Sequence, residues 1–185
     1  MGRGLPKTIR SLPVFQQIGK FSQYVTFPDL ETAIIPPEVE EIVRALGSTK
    51  VLSRQSQLLL SPPRQGDWRL EALNWHTDVS AHEARIPGVQ VFVVIKDLVD
   101  QGGATLILSG SHKYTEDAQT KSRVRDALHM GEKGVASLHE LGLTIVEFAG
   151  KSGDVYLMDM RTLHTPSVNT SNQMRVVATV RYFLE

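Results

Sequence analysis

Short runs of apolar and β-branched residues, separated by turn-forming residues, recur along most of this chain. Such runs predict β-strands, because branched and aromatic side chains fit a pleated, half-buried surface. The strongest is Val89–Lys96, which contains the letters VQVFVVI. The other predicted strands are Val51–Leu60, Glu71–Trp75, Ala104–Leu108, Leu143–Phe148, Asp154–Met158 and Met174–Phe183. The turn Gly150–Gly153 joins the strands Leu143–Phe148 and Asp154–Met158, which predicts a hairpin.

One segment has the periodicity of a helix instead. Glu38–Leu46 follows Pro36 and Pro37, and proline suits the first turn of a helix. Gly47 can end it. The apolar residues of this helix recur on one face and are Val39, Ile42, Val43 and Leu46.

A long polar stretch, Thr115–Gly142, interrupts the strand pattern. It is compatible with helix and carries few apolar anchors, namely Val124, Leu128 and Leu138. A stretch of this length is unusual for a hairpin loop, so we expect a functional insert and interpret it as a lid.

Many short strands with little helix predict a single, mainly β domain over residues 1–185. A closed or double-sheet architecture such as a jelly roll fits this pattern. A parallel α/β sheet does not, because the later strands have no helical crossovers between them.

Composition limits the cofactors, catalytic groups and partners that this chain can have. The chain has 185 residues and no cysteine, which excludes disulfides, zinc–thiolate sites, iron–sulfur clusters and a catalytic thiol. Twenty basic residues balance 20 acidic ones, so charge gives no reason to expect nucleic acid or an anionic membrane as a partner. No apolar run approaches a membrane span, and the first residues lack the apolar block of a signal peptide, so we expect a cytoplasmic protein.

The candidate chemistry begins at His76-Thr77-Asp78. In an extended segment residues two apart face the same way, so His76 and Asp78 can reach one metal ion. The segment Arg161–Pro166, which contains His164, directly follows the apolar strand Val155–Met158, and His164 lies about 90 residues after His76. Two histidines and one carboxylate form the ligand set of non-haem iron(II) oxygenases, which leaves coordination positions open for a bidentate cosubstrate and for oxygen.

An arginine stands at the start of the last predicted strand. Arg175 lies eleven residues past His164 within an apolar run, and a buried guanidinium without an anion is costly. Its planar fork matches a carboxylate. Arg181, on the same face by period two, competes for this role, and an arginine that reaches water at the rim is the plainer alternative.

Four ordered blocks together resemble a known family. They are the W-H-x-D of residues 75–78, the G-G-A-T-L-I-L-S-G-S-H of 102–112, the G-D-V-Y-L-M-D…H of 153–164, and Arg175. From Gln57 to Phe183 the chain resembles the phytanoyl-CoA dioxygenase family of iron(II) and 2-oxoglutarate oxygenases.

That resemblance implies a double-stranded β-helix, iron(II) on His76, Asp78 and His164, 2-oxoglutarate as cosubstrate, and oxygen. It implies that Arg175 binds the distal carboxylate of 2-oxoglutarate. The position two past the distal histidine is often a hydroxyl residue in the family but is Pro166 here, so Thr165 or Ser167 would substitute for it. Gln57, on a strand that would line the barrel, is a further candidate for cosubstrate binding.

The resemblance implies hydroxylation of a small organic molecule, with release of succinate and carbon dioxide. Halogenation is disfavoured, because halogenases of this superfamily replace the carboxylate ligand with a small residue and Asp78 retains it. Desaturation, ring formation and epimerisation stay open. A cupin-like metal-binding protein without 2-oxoglutarate chemistry is the alternative from another class, and it would have no need of Arg175 as a carboxylate ligand.

Overall fold

A computed structural model describes residue 9 and residues 11–25, 27–46, 50–79, 85–114 and 117–185. Three helices precede the first strand: α1 (Val14–Gln23), α2 (Leu30–Ile34) and α3 (Pro37–Leu46). The strands are β1 (Val51–Ser61), β2 (Gly88–Val94), β3 (Thr105–Ser109), β4 (Thr144–Glu147), β5 (Val155–Asp159), β6 (His164–Pro166) and β7 (Arg175–Leu184). Between β3 and β4 lie α4 (Ala118–His129) and α5 (Val135–Glu140), with 3-10 helices at Ser111–Tyr114 and Gly131–Gly134.

The strands form two antiparallel sheets. The larger has the order β1-β7-β2-β5 and the smaller has the order β4-β3-β6. His76 adds an isolated antiparallel bridge to His164, on β6. Four connections between consecutive strands cross from one sheet to the other: β2–β3, β4–β5, β5–β6 and β6–β7. This arrangement is the double-stranded β-helix, or jelly roll, that the sequence predicts.

Each face of the larger sheet is buried against a different neighbour. Its outer face, with Val91, Val180 and Tyr182, packs against Val39 and Val43 of α3. Its inner face forms a second core with the smaller sheet, and the core residues are Phe92, Val94, Leu98, Ala104, Phe148, Met158 and Val177. Because side chains alternate along β7, Val177 places Arg175, Thr179 and Arg181 on the inner face too.

Two strand predictions are wrong. β4 and β5 do not form a hairpin, since β4 pairs with β3 in the smaller sheet and β5 with β2 in the larger. The turn exists, with Asp154 N–H donating to the Lys151 carbonyl at 3.0 Å, but it carries the chain between sheets. Residues 71–75 form turns and irregular backbone instead of a strand.

The helices differ from the sequence prediction in two respects. The predicted helix is present as α3, but Ile42 and Leu46 are about half exposed, so its buried face holds only Val39 and Val43. Gly47, predicted to end it, lies outside the described residues. Helix α1 was not predicted, because its buried face carries polar residues whose side chains bond to backbone carbonyls: Gln17 and Ser22.

The expected insert is helical where the structure describes it, over residues 117–142. Its three predicted anchors, Val124, Leu128 and Leu138, are all buried. They pack with Leu108 of β3 and Leu143 in a third core cluster. Across the described ranges, every helix is too short or too polar to cross a membrane.

Candidate metal centre and carboxylate site

The two histidines lie side by side because His164, on β6, forms an antiparallel bridge with His76. His76 N–H donates to the His164 carbonyl at 3.0 Å, and His164 N–H donates back to the His76 carbonyl at 2.9 Å. This reciprocal pair sets the two imidazole centroids 4.4 Å apart. Short β6 therefore joins two residues that are far apart in sequence.

Backbone carbonyls orient both imidazole rings. Nδ1 of His76 lies 2.9 Å from the Asn74 carbonyl oxygen, and Nδ1 of His164 lies 3.0 Å from that of Thr162. A carbonyl only accepts hydrogen bonds, so each Nδ1 carries the proton and each Nε2 keeps a free lone pair. Fixing the tautomer in this way is how proteins prepare histidines as metal ligands.

Asp78 completes the cluster from the same segment as His76. Its N–H donates to the Met160 carbonyl at 3.2 Å, and its Oδ2 lies 3.7 Å from Nε2 of His164. One potential ligand atom from each of His76, Asp78 and His164 lies within 4.8 Å of the others. Two imidazoles and one carboxylate suit a divalent transition metal, and non-haem iron(II) oxygenases use this set.

Electrostatics favour metal over protons at His164. Burial is the main cause that lowers its pKa, and it outweighs the hydrogen bond to the Thr162 carbonyl and the Asp78 charge, which raise the pKa. Repulsion from positive charge on His76 and Arg181 also lowers it. A lowered pKa keeps the imidazole neutral near neutral pH, which is the form that binds metals.

Arg175 is buried without an anion among the described residues. Only 2% of it is exposed, and its Nη2 donates to the Thr105 hydroxyl at 3.1 Å. Nη1 reaches the Ser61 hydroxyl at 3.5 Å, while Nε is buried without a hydrogen-bond partner. Burial lowers the pKa of Arg175 to about 10, so it stays protonated near neutral pH. A buried cation with an unsatisfied donor fits a carboxylate ligand.

Strand register places this guanidinium close to the histidine pair. Arg175 bonds to Thr105, which lies opposite Pro166, and Ile107 lies opposite His164. Two residues along a strand span roughly 6–7 Å. That separation suits a small dicarboxylate with one end at the metal cluster and the other at Arg175.

Arg181, the competing arginine, has another partner. Its Nε donates to Oδ2 of Asp78 at 3.1 Å, and its side chain is 30% exposed. Six residues of β7 separate it from Arg175, which is about 20 Å along a strand. The two arginines therefore lie at different parts of the site.

The three remaining candidates for cosubstrate binding lie in different surroundings. Thr165 is fully buried and its hydroxyl donates to the Pro166 carbonyl at 3.1 Å. The Ser167 hydroxyl donates to the Ala104 carbonyl at 2.8 Å, so its proton is already engaged. Gln57 lies opposite Thr179 and lines an open pocket beside Arg181.

Sequence reasoning missed the two hydroxyls that flank Arg175. Ser61 and Thr105 come from opposite sheets and accept hydrogen bonds from the guanidinium, so their own protons can point at a bound carboxylate. For Ser61 the available signal was period two, which puts it on the same face of β1 as Gln57. No local signal marks Thr105, since its role depends on sheet packing.

Comparison with known proteins bears on this arrangement. The model of the phytanoyl-CoA dioxygenase family matches residues 22–177, a range that includes all three members of the metal cluster and Arg175. The chain belongs to the phytanoyl-CoA dioxygenase family. The predicted family resemblance is thereby confirmed. A search of curated proteins finds no match.

Solved structures support the fold of this family member. EctD from S. alaskensis, with 2-oxoglutarate and 5-hydroxyectoine, has a TM-score of 0.59, 19% identity and 85% coverage of this chain. AviO1 from Streptomyces viridochromogenes Tue57 has a TM-score of 0.59, 18% identity and 86% coverage of this chain. SnoK, a non-haem α-ketoglutarate-dependent carbocyclase from nogalamycin biosynthesis, has a TM-score of 0.56, 20% identity and 84% coverage of this chain. This chain covers only 52% of that EctD chain, 62% of AviO1 and 58% of SnoK.

Proposed function

We propose that this protein is a non-haem iron(II) oxygenase that consumes 2-oxoglutarate and oxygen and hydroxylates a small organic molecule. The observation that carries the proposal is a pairing. A cluster of two histidines and one carboxylate lies close enough to Arg175 for one small dicarboxylate to span them. Arg175 is a buried cation without an anion among the described residues. Metal binding alone would account for the cluster but not for the arginine.

Each residue of the chain then has a defined task. His76, Asp78 and His164 would hold iron(II) on one face and leave the opposite face open. Arg175 would fix the distal carboxylate of 2-oxoglutarate through its fork, with the Ser61 and Thr105 hydroxyls beside it. Gln57, Thr165 and Ser167 remain candidates for further cosubstrate contacts.

The bound iron would supply the oxidising chemistry. With iron bound, one atom of O2 would end in the succinate formed as 2-oxoglutarate loses carbon dioxide, and the other would be inserted into a C–H bond of the substrate. The chain positions the reactants and excludes water, which its burial of His164 and Asp78 supports.

We propose that the helical segment 117–142 acts as a lid. Its core cluster includes Trp75 and Leu163, the neighbours of His76 and His164 in sequence, as partly buried members. A shift of this segment would therefore move side chains that pack directly beside both histidines. That the protein acts in the cytoplasm, on a free small molecule and not on nucleic acid or a membrane, stays a prediction.

A turnover assay tests the proposal. Protein loaded with iron(II) is given 2-oxoglutarate and oxygen with a panel of amino acids, acyl thioesters and small metabolites, and succinate is measured. We expect succinate to rise above the substrate-free rate with at least one compound, and the Asp78→Ala variant to show no such rise. Equal succinate from the variant and the wild type would refute the assignment.

A further inference from the structure

A polar pocket lies beside Arg181, the residue that bonds to Asp78 of the metal cluster. It has a volume of about 450 Å³, within the range of small-molecule sites. Its lining, among the residues that the structure describes, is Ser22, Gln23, Gln55, Ser56, Gln57, Thr179 and Arg181. Within that lining, every side chain is polar and the one charge is positive, which does not suit an aliphatic chain or a cation.

Arg181 forms the wall between this pocket and the cluster. Its Nε bonds to Asp78, while its two Nη groups have no partner among the described residues. Strand register puts amides on both sides of it, with Gln55 opposite on β1 and Gln90 opposite on β2. Asp78 is thus the sole anion that pairs with it in the described ranges.

The charge balance changes once a divalent cation sits on the cluster. Asp78 would then share its negative charge with the metal, and Arg181 would keep a surplus of positive charge. A carboxylate can accept from two guanidinium nitrogens at once, and the Nη groups of Arg181 are free to donate.

Gln90 provides the complementary feature. It is 2% exposed, and its Nε2 donates to the Thr179 hydroxyl at 2.9 Å. Its Oε1 is buried without a partner and would accept from a hydroxyl or amino group. Cross-strand neighbours have Cβ atoms about 5 Å apart, so the buried Gln90 amide lies next to Arg181, although Gln90 is not itself part of the pocket lining.

We infer that Arg181 anchors the substrate and that the substrate is a small, hydrophilic amino or hydroxy acid whose carboxylate binds Arg181. This inference rests on the proposed function and specifies its substrate class. It assigns Arg175 to the cosubstrate and Arg181 to the substrate.

The experiment uses anaerobic protein loaded with iron(II) and 2-oxoglutarate. Amino acids and 2-hydroxy acids, each matched with its own carboxamide, and octanoyl thioester are added while the metal-to-ligand charge-transfer band is followed, and isothermal titration gives the affinities. We expect some acids to shift the band, and their amides and the thioester to leave it unchanged. Arg181→Gln should weaken acid binding about ten- to a hundred-fold.

Two further variants separate the roles. Arg181→Lys keeps the charge without the fork and should recover part of the acid affinity, whereas Arg69→Gln, at an exposed arginine, should bind like wild type. The inference is overturned if amides bind as well as acids, or if no acid binds although iron and 2-oxoglutarate do. It is also overturned if Arg181→Gln loses 2-oxoglutarate affinity as Arg175→Gln does. If 2-oxoglutarate never binds the wild type, the proposed function itself has failed.

Discussion

Replacing Arg175 with methionine should separate cosubstrate binding from folding stability. Burial lowers the pKa of this guanidinium to about 10. That corresponds to roughly 3 kcal/mol against the charged form, since each pKa unit is about 1.4 kcal/mol. Methionine fills much of the volume without carrying a charge, which removes this desolvation penalty. The loss of the hydrogen bonds to Thr105 and Ser61 offsets part of that gain in folding stability. We therefore expect the cosubstrate-free variant to be as stable as wild type or more stable.

Cosubstrate binding should respond in the opposite direction. Loss of a buried, charge-assisted bidentate contact costs about 2–5 kcal/mol, or roughly thirty-fold to several-thousand-fold in the Kd of 2-oxoglutarate. Iron affinity should change little, because Arg175 does not contact the metal cluster.

Thermal unfolding of iron-loaded protein measures both effects in one series. At 2-oxoglutarate about 100 times its wild-type Kd, the ligand should stabilise wild type by about 2.7 kcal/mol and the variant hardly at all. Arg69→Met, at an exposed arginine, serves as control and should match wild type. A variant that loses several degrees of Tm without ligand, yet keeps the full 2-oxoglutarate shift, would show that Arg175 is structural.

Three further predictions concern the metal and the lid. Each alanine variant of the cluster should weaken iron binding and abolish turnover while the protein stays folded: His76→Ala, Asp78→Ala and His164→Ala. Undiminished binding in anaerobic iron titrations of all three would refute the metal-site assignment. Asp78→Gly should lose hydroxylation and could accept chloride or azide at the vacated position, and Asp78→Glu should fail through misplacement of its carboxylate by about 1 Å; full hydroxylation by Asp78→Gly, measured as product formed, would make Asp78 a turn residue only. Residues 117–142 should exchange amide hydrogens faster without ligands than with iron, 2-oxoglutarate and substrate; strong protection in both states would exclude a lid.

Local pattern predicts three candidates for this site: His76, Asp78 and Arg175. Residues two apart in His76-Thr77-Asp78 share a face wherever the chain is extended, and an arginine within the apolar run of β7 must be buried or reach water. These features depend on backbone geometry and desolvation, which act within a few residues.

Pairing over long distances could not be predicted in the same way. A glycine-rich turn such as Gly150–Gly153 looks alike whether it joins neighbours in one sheet or carries the chain between sheets, so β4 and β5 were wrongly paired. The hydroxyls of Ser61 and Thr105 meet Arg175 only because two sheets pack together. Helix α1 was not predicted because polar residues, Gln17 and Ser22, stand on its buried face.

The central claim is that one chain holds iron(II) and 2-oxoglutarate together at His76, Asp78, His164 and Arg175. The most direct test is an anaerobic titration of the iron-loaded wild type with 2-oxoglutarate, followed by visible absorption. The proposed function predicts a saturable metal-to-ligand charge-transfer band that is absent from His164→Ala. If iron binds and no band develops at any 2-oxoglutarate concentration, the protein is a metal-binding jelly roll and not an oxygenase of this type.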